Sequence, residues 1–200
     1  MTTSDDVERA VEAGADGIGV VLEPGFPCSV SMAKARELLD AMRGADVMSL
    51  AVVGKGPPSC LTEAASLGFD AVQWAGPPGG GAVSANVAVL PVLFDGDDLE
   101  ARVVAWQSEL RLLAQTSCWP SSWPPTGLVN IDSAAGGGSG VQACWDRVSR
   151  VARRVPVMLA GGLSADNLSL ALERVAPFAV DVSSGVESAP GRKEFAKMRD

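Results

Sequence analysis

Short apolar runs of Val, Ile, Leu and Ala recur along the chain, and most are separated by a helical pattern. They fall at Gly17–Leu22, Met48–Val53, Asp70–Trp74, Val87–Leu93, Gly127–Ile131, Val155–Ala160 and Phe178–Val182. Runs this continuous leave little polar face for water. They predict strands buried on both sides, hence a parallel sheet with helices over it. Helical patterns cover Ser4–Ala13, Ser31–Met42, Cys60–Leu67, Asp97–Gln115, Val141–Arg153 and Ala165–Val175. Ser4, Ser31 and Ser164 read as starts, and Gly14 and Gly44 stand where helices should stop. The alternation predicts repeated βα units in one α/β domain spanning residues 1–200.

Composition narrows the function classes. A hydrophobic fraction of 47% suits a packed globule, and a net charge of −8 disfavours nucleic acid and anionic membrane as partners. The chain has no histidine, which removes the commonest general base and transition-metal ligand and speaks against a zinc site or a Ser-His triad; no motif points to a metal or organic cofactor, and none is expected. Cys28, Cys60, Cys118 and Cys144 form no CxxC pair. The polar, acidic opening MTTSDDVERA is no signal peptide, and no apolar run reaches membrane-spanning length. A cytoplasmic protein with reduced thiols is expected.

Val157 to Gly185 reads VMLAGGLSADNLSLALERVAPFAVDVSSG. One strand ends in paired glycines and the next in Asp-Val-Ser-Ser-Gly. Such loops either permit tight turns or present backbone N–H groups to an anion. A third glycine loop follows the strand that ends at Asp132, in LVNIDSAAGGGSG. Asp132 itself reads either as a turn residue or as a site acid.

These motifs, with AVEAGADGIGVVLEPG near the start and FDAVQWAG in the middle, closely resemble the phosphoribosylanthranilate isomerase family of tryptophan biosynthesis. The resemblance implies a TIM-type (βα)8 barrel with its chemistry at the C-terminal strand ends. It also implies an Amadori rearrangement of a phosphorylated small molecule. By the resemblance, Asp132 is the general acid. Gly138, Ser139, Gly140, Gly161, Gly162, Ser183, Ser184 and Gly185 hold the phosphate, and Asp181 joins that group.

The sequence departs from the family pattern in several places. The chain opens on a helix, so the barrel is expected to lack its first strand and the Lys-Ile-Cys-Gly cysteine that acts as base. AGPPGGGAVSAN, after Trp74, is expected to replace the fourth helix by a Pro/Gly loop. Cys28 stands where the family has a carboxylate-binding arginine, and Ala75 where it has a histidine. Cys28 reads either as a relocated catalytic thiol or as a packing residue. Trp74, Trp119 and Trp123 read either as a ligand wall or as buried rings. Lys55, the cation near the mouth, reads either as a partner for an anionic ligand or as a solvated lysine.

Three functions follow as expectations: a divergent barrel whose isomerase activity is impaired or replaced, a genuine phosphoribosylanthranilate isomerase with a mis-assigned start, or an inactive binding or scaffolding homologue. An open barrel edge would be costly, so a homodimer or another partner is expected to cover it.

Overall fold

The computed structural model describes residues 1–79, 87–116, 127–136 and 141–200. Seven strands form one parallel sheet in chain order: β1 (Gly17–Val21), β2 (Met48–Gly54), β3 (Ala71–Trp74), β4 (Ala88–Phe94), β5 (Val129–Asp132), β6 (Val157–Leu159) and β7 (Ala179–Val180). Helices α1 (Ser4–Glu12), α2 (Met32–Met42), α3 (Ser59–Leu67), α4 (Leu99–Thr116), α5 (Trp145–Ala152) and α6 (Ala165–Val175) flank it, and the sheet curls in the manner of a TIM-type barrel. Each apolar run of the sequence becomes a strand.

Strand alternation sorts the side chains onto two faces. Met48, Leu50, Ala71, Ala88, Leu90, Leu128 and Met158 form a small cluster on the concave face. Their intervening neighbours, among them Val53, Val72, Trp74, Val89 and Ile131, join the helices in the main core. Trp74 is therefore a core residue. Its ring meets Trp106 of α4 edge-on at 6.1 Å, and its Nε1 donates to the Gly56 carbonyl at 3.0 Å. Trp119 and Trp123, proposed with it as a ligand wall, lie outside the described residues.

Helix ends mostly follow their sequence signals. Ser31 and Ser164 cap α2 and α6, and Gly14 and Gly44 adopt positive φ just past helix ends. The cap of α1 is Thr3 rather than Ser4. Its hydroxyl accepts from the Asp6 N–H, and the Asp6 carboxylate accepts in return from the Thr3 N–H, so that the pair closes a capping box. The Pro/Gly segment expected to replace a helix between β3 and β4 falls mostly on residues 80–86, outside the described residues.

Among the described residues β1 pairs within the sheet only with β2, and β7 only with β6. The outer edge of β1 is partly occupied. The Met1 amino group donates to the Gly19 carbonyl at 2.7 Å, and the Val30 N–H to the Val21 carbonyl at 2.9 Å. A hairpin the sequence did not announce, β8 (Glu187–Ala189) and β9 (Arg192–Lys193), lies against the same region: the Thr2 hydroxyl donates to the Gly191 carbonyl at 3.1 Å. Gly191, at φ 75°, backs onto the Pro27 carbonyl, and the following α7 (Phe195–Arg199) packs on α1. No described helix is long and apolar enough to cross a membrane.

Trp106 carries one of the largest fully buried side chains. Trp106→Ala is expected to lower unfolding free energy by about 3–5 kcal/mol, against about 1 kcal/mol for Thr3→Ala at the cap. Urea denaturation of both variants, followed by far-UV circular dichroism, checks the ranking.

Candidate active site

Leu128, Asn130 and Asp132 climb β5 with the strand period of two, from the apolar floor of the concave face towards its C-terminal rim. Asp132 is buried, and its Oδ1 accepts from the Ser133 N–H at 2.7 Å. Desolvation pushes the Asp132 pKa above the ordinary aspartate value. The Ser133 hydrogen bond works against that rise, and the nearby charge of Asp181 adds to it.

Asp181, just past β7, is held from across the sheet. Gln73 Nε2 of β3 and Asn130 Nδ2 of β5 both donate to its Oδ2, at 3.2 and 3.0 Å, and the two amides also lie against the Met158 sulfur. Two carboxylates thus share the upper lumen in different settings. Asp181 is tied to amide donors, and Asp132 is desolvated beside it. Environments that differ in this way suit one carboxyl to give up a proton while the other stays fixed.

The loops after β6 and β7 are in contact. Gly161 (φ 86°) packs against the Asp132 carboxylate and the Ser133 backbone, where a Cβ would come within 2.6 Å of the Ser133 nitrogen. At Gly185 a Cβ would overlap the Leu163 carbonyl oxygen. Only glycine allows both approaches. Asn167 fixes the first loop by donating from Nδ2 to the Gly162 carbonyl at 2.8 Å and accepting from the Ser164 N–H. Lys193 of β9 fixes the second, donating from Nζ to the Ser183 carbonyl at 2.8 Å and to Glu187 at 2.9 Å. Among the described residues, the backbone N–H groups of Gly161, Gly162, Ser184 and Gly185 donate to no protein acceptor. Their loops flank the acid.

The structure therefore brings together Asp132, Asp181, Gly161, Gly162, Ser183, Ser184 and Gly185. Gly138, Ser139 and Gly140 lie outside the described residues. Cys28 sits apart, on the β1 side of the rim beside Gly191, and its sulfur makes no hydrogen bond among the described residues. Ala75 lies just past β3, its N–H donating to the Gly54 carbonyl. A cavity of about 400 Å³, lined by Leu22, Met32, Val53, Lys55 and Cys60 among others, includes no residue of β5, β6 or β7. Gln73, Asn130 and Lys193 escaped the sequence reading. For the two amides a signal existed: a lone polar residue within an otherwise apolar strand has to be satisfied inside the fold. No group of acidic or cysteine residues able to hold a metal ion occurs among the described residues.

Comparison with known proteins fits this geometry. The model of the N-(5'-phosphoribosyl)anthranilate (PRA) isomerase family matches residues 125–200, the span that carries β5 to β7 and their loops. The N-(5'-phosphoribosyl)anthranilate isomerase of Pelobacter propionicus is 31% identical over 100% of this chain and 90% of its own length. That of Methanoregula boonei is 34% identical over 99% of this chain and 89% of its own. The chain belongs to the phosphoribosylanthranilate isomerase family. Its fold agrees: the isomerase structure from Thermus thermophilus superposes with a TM-score of 0.79 at 27% identity, covering 100% of this chain and 92% of that one. A family structure holding reduced 1-(o-carboxyphenylamino)-1-deoxyribulose 5-phosphate has the same fold, with a TM-score of 0.77 at 24% identity, covering 100% and 91% of the two chains.

The raised Asp132 pKa has a definite sign in stability. The folded state holds this proton more tightly than the unfolded chain, so stability falls as pH rises from the ordinary aspartate range through the raised value. Asp132→Asn keeps an oxygen for the Ser133 N–H and removes the buried charge. Its melting temperature at pH 7 is expected to equal or exceed that of the parent, without the parent's decline as pH rises above the ordinary aspartate range. Thermal melts from that range up to pH 7 check it.

Proposed function

We propose that the protein is a working phosphoribosylanthranilate isomerase of tryptophan biosynthesis, the second of the three readings left open by the sequence. The observation that carries this is the buried Asp132, flanked by two touching loops whose four backbone N–H groups have no acceptor among the described residues. Relatives of the same name match nearly the whole chain, at 31% and 34% identity.

In this reading Gly161, Gly162, Ser184 and Gly185 bind the substrate phosphate through neutral N–H donors, which suits a dianion in a protein of net negative charge. Asp132 delivers its proton to the ribose ring oxygen as the bond from that oxygen to C1′ breaks. Ring opening leaves an iminium at C1′; loss of the C2′ proton to a general base gives the enolamine, and a proton gained at C1′ as the C2′ hydroxyl loses its own gives the ketone, so the rearrangement is an isomerisation with no co-reactant. Gln73 and Asn130 hold Asp181, whose negative charge helps Asp132 keep its proton until the substrate arrives. Cys28 is a packing residue in this scheme, set on the β1 side of the rim beside Gly191.

The direct test is turnover of N-(5'-phosphoribosyl)anthranilate by the purified protein, read from the loss of anthranilate fluorescence. Asp132→Asn is expected to lower kcat by about 10²- to 10⁴-fold, the usual range for removing a general acid. Cys28→Ser is expected to stay within about threefold of the parent, as suits a residue outside the chemistry. A parent protein without turnover would sink the reading. Equal losses in the two variants would move the C2′ proton to Cys28.

A further inference from the structure

The substrate of the proposed reaction has two anionic ends, a phosphate and an aromatic carboxylate, and the N–H groups of the β6 and β7 loops answer only one of them. Of the 16 lysines and arginines, all but Lys55, Arg192 and Lys193 lie on helices or at their ends. Arg192 and Lys193 belong to the β8–β9 hairpin, and Lys193 is already tied to Ser183 and Glu187 with only 7% of its side chain exposed.

Lys55 is placed differently. It directly follows β2, on the C-terminal rim, with its backbone N–H held by the Glu23 carboxylate at 3.3 Å. Its ammonium reaches past β3 to lie 4.9 Å from the centre of the Phe94 ring at the end of β4. Phe94 is in register with Asp132 on the neighbouring strand, so the two occupy the same face of the sheet. The Lys55 ammonium has no carboxylate partner among the described residues. A cation over an exposed aromatic face is held weakly, whereas a charge-assisted hydrogen bond to a carboxylate is stronger. Lys55 can therefore take a ligand carboxylate without giving up an ion pair.

The order of groups around the rim adds the geometry. Read along the sheet, Lys55 follows β2, Phe94 ends β4, Asp132 ends β5, and the anion-binding loops follow β6 and β7. The substrate's covalent order is carboxylate, aromatic ring, ribose ring, phosphate. With the phosphate on the β6 and β7 loops and the ribose oxygen at Asp132, the carboxylate falls towards β4 and β2.

We propose that Lys55 is the specificity residue that anchors the substrate's aromatic carboxylate, with Phe94 holding the ammonium on the rim while the site is empty. This rests on the isomerase reading above, and the experiment separates the two. Calorimetry compares the parent, Lys55→Met and Lys55→Arg with two probes: reduced 1-(o-carboxyphenylamino)-1-deoxyribulose 5-phosphate and its phenylamino counterpart without the carboxylate. Lys55→Met is expected to weaken the carboxylated probe about tenfold, the low end for a charged hydrogen bond because the site is open to water. Lys55→Arg restores most of that loss, the phenylamino probe binds all three proteins alike, and in turnover KM rises while kcat stays nearly constant. Equal weakening of both probes, or of neither, overturns the assignment. If the parent binds both probes but turns over no substrate, the isomerase reading fails and Lys55 is judged on binding alone. If the parent is active and Lys55→Met keeps its KM, the Lys55 assignment alone fails. Binding of neither probe by the parent overturns both.

Discussion

A parallel sheet that curls on itself must fill its own concave face, and this chain fills it in two parts. The floor is apolar, from Met48 and Leu50 to Leu128 and Met158. Above it stand Gln73 and Asn130, whose amides would each cost about 1–3 kcal/mol if buried without a partner. Both donate to Asp181, and the Asp181 charge is one of the causes that raise the pKa of Asp132. The pairing of polar groups inside the curl thus sets a charge beside the residue on which the proposed chemistry turns, adding to the rise that burial causes first.

The loops above this layer give up stability in a second way. Gly161 and Gly185 bring backbone against backbone so closely that no side chain fits. Glycine carries a larger folding entropy than other residues, and N–H groups left without acceptors forgo hydrogen bonds that a closed turn would make. Lys193 and Asn167 brace the arrangement from behind by binding the carbonyls of Ser183 and Gly162, which leaves the donor side of each loop open. A site arranged in this way is preorganised: the energetic cost of exposed donors is met at folding rather than at binding.

Much of this was legible in the chain. Continuous Val/Ile/Leu runs located every strand of the parallel sheet, because burial on both faces leaves little room for polar residues. Asp132 and the glycine pair at 161–162 were legible because strand-end chemistry is local in sequence. The clamp on Asp181 was not, since Gln73 and Asn130 reach it across 108 and 51 residues. Period-two alternation within AVQW separates Gln73 from Trp74, but the sequence does not say which faces the lumen. Trp74 could thus be taken for a ligand wall until its packing on Trp106 was seen. The β8–β9 hairpin was hidden for a different reason: its short strands are polar, and its place beside β1 depends on contacts with Thr2 and Pro27.

Net charge gives the remaining step. A chain at −8 repels anionic ligands at long range, yet that repulsion is screened within about 10 Å at ordinary ionic strength. Recognition is then decided by the groups the ligand touches, and the rim divides that work by chemistry. In the proposed reading, neutral N–H donors meet a dianion without placing a lysine or arginine beside Asp132, where a cation would draw its proton away. Among the described residues, the Lys55 ammonium has no carboxylate partner on the rim and lies over the Phe94 ring rather than in an ion pair with Asp132. Moved next to Asp132, the same charge would improve anion binding and lower the pKa that desolvation and Asp181 raise. Holding Lys55 on an aromatic ring rather than on the acid is therefore part of the proposed mechanism.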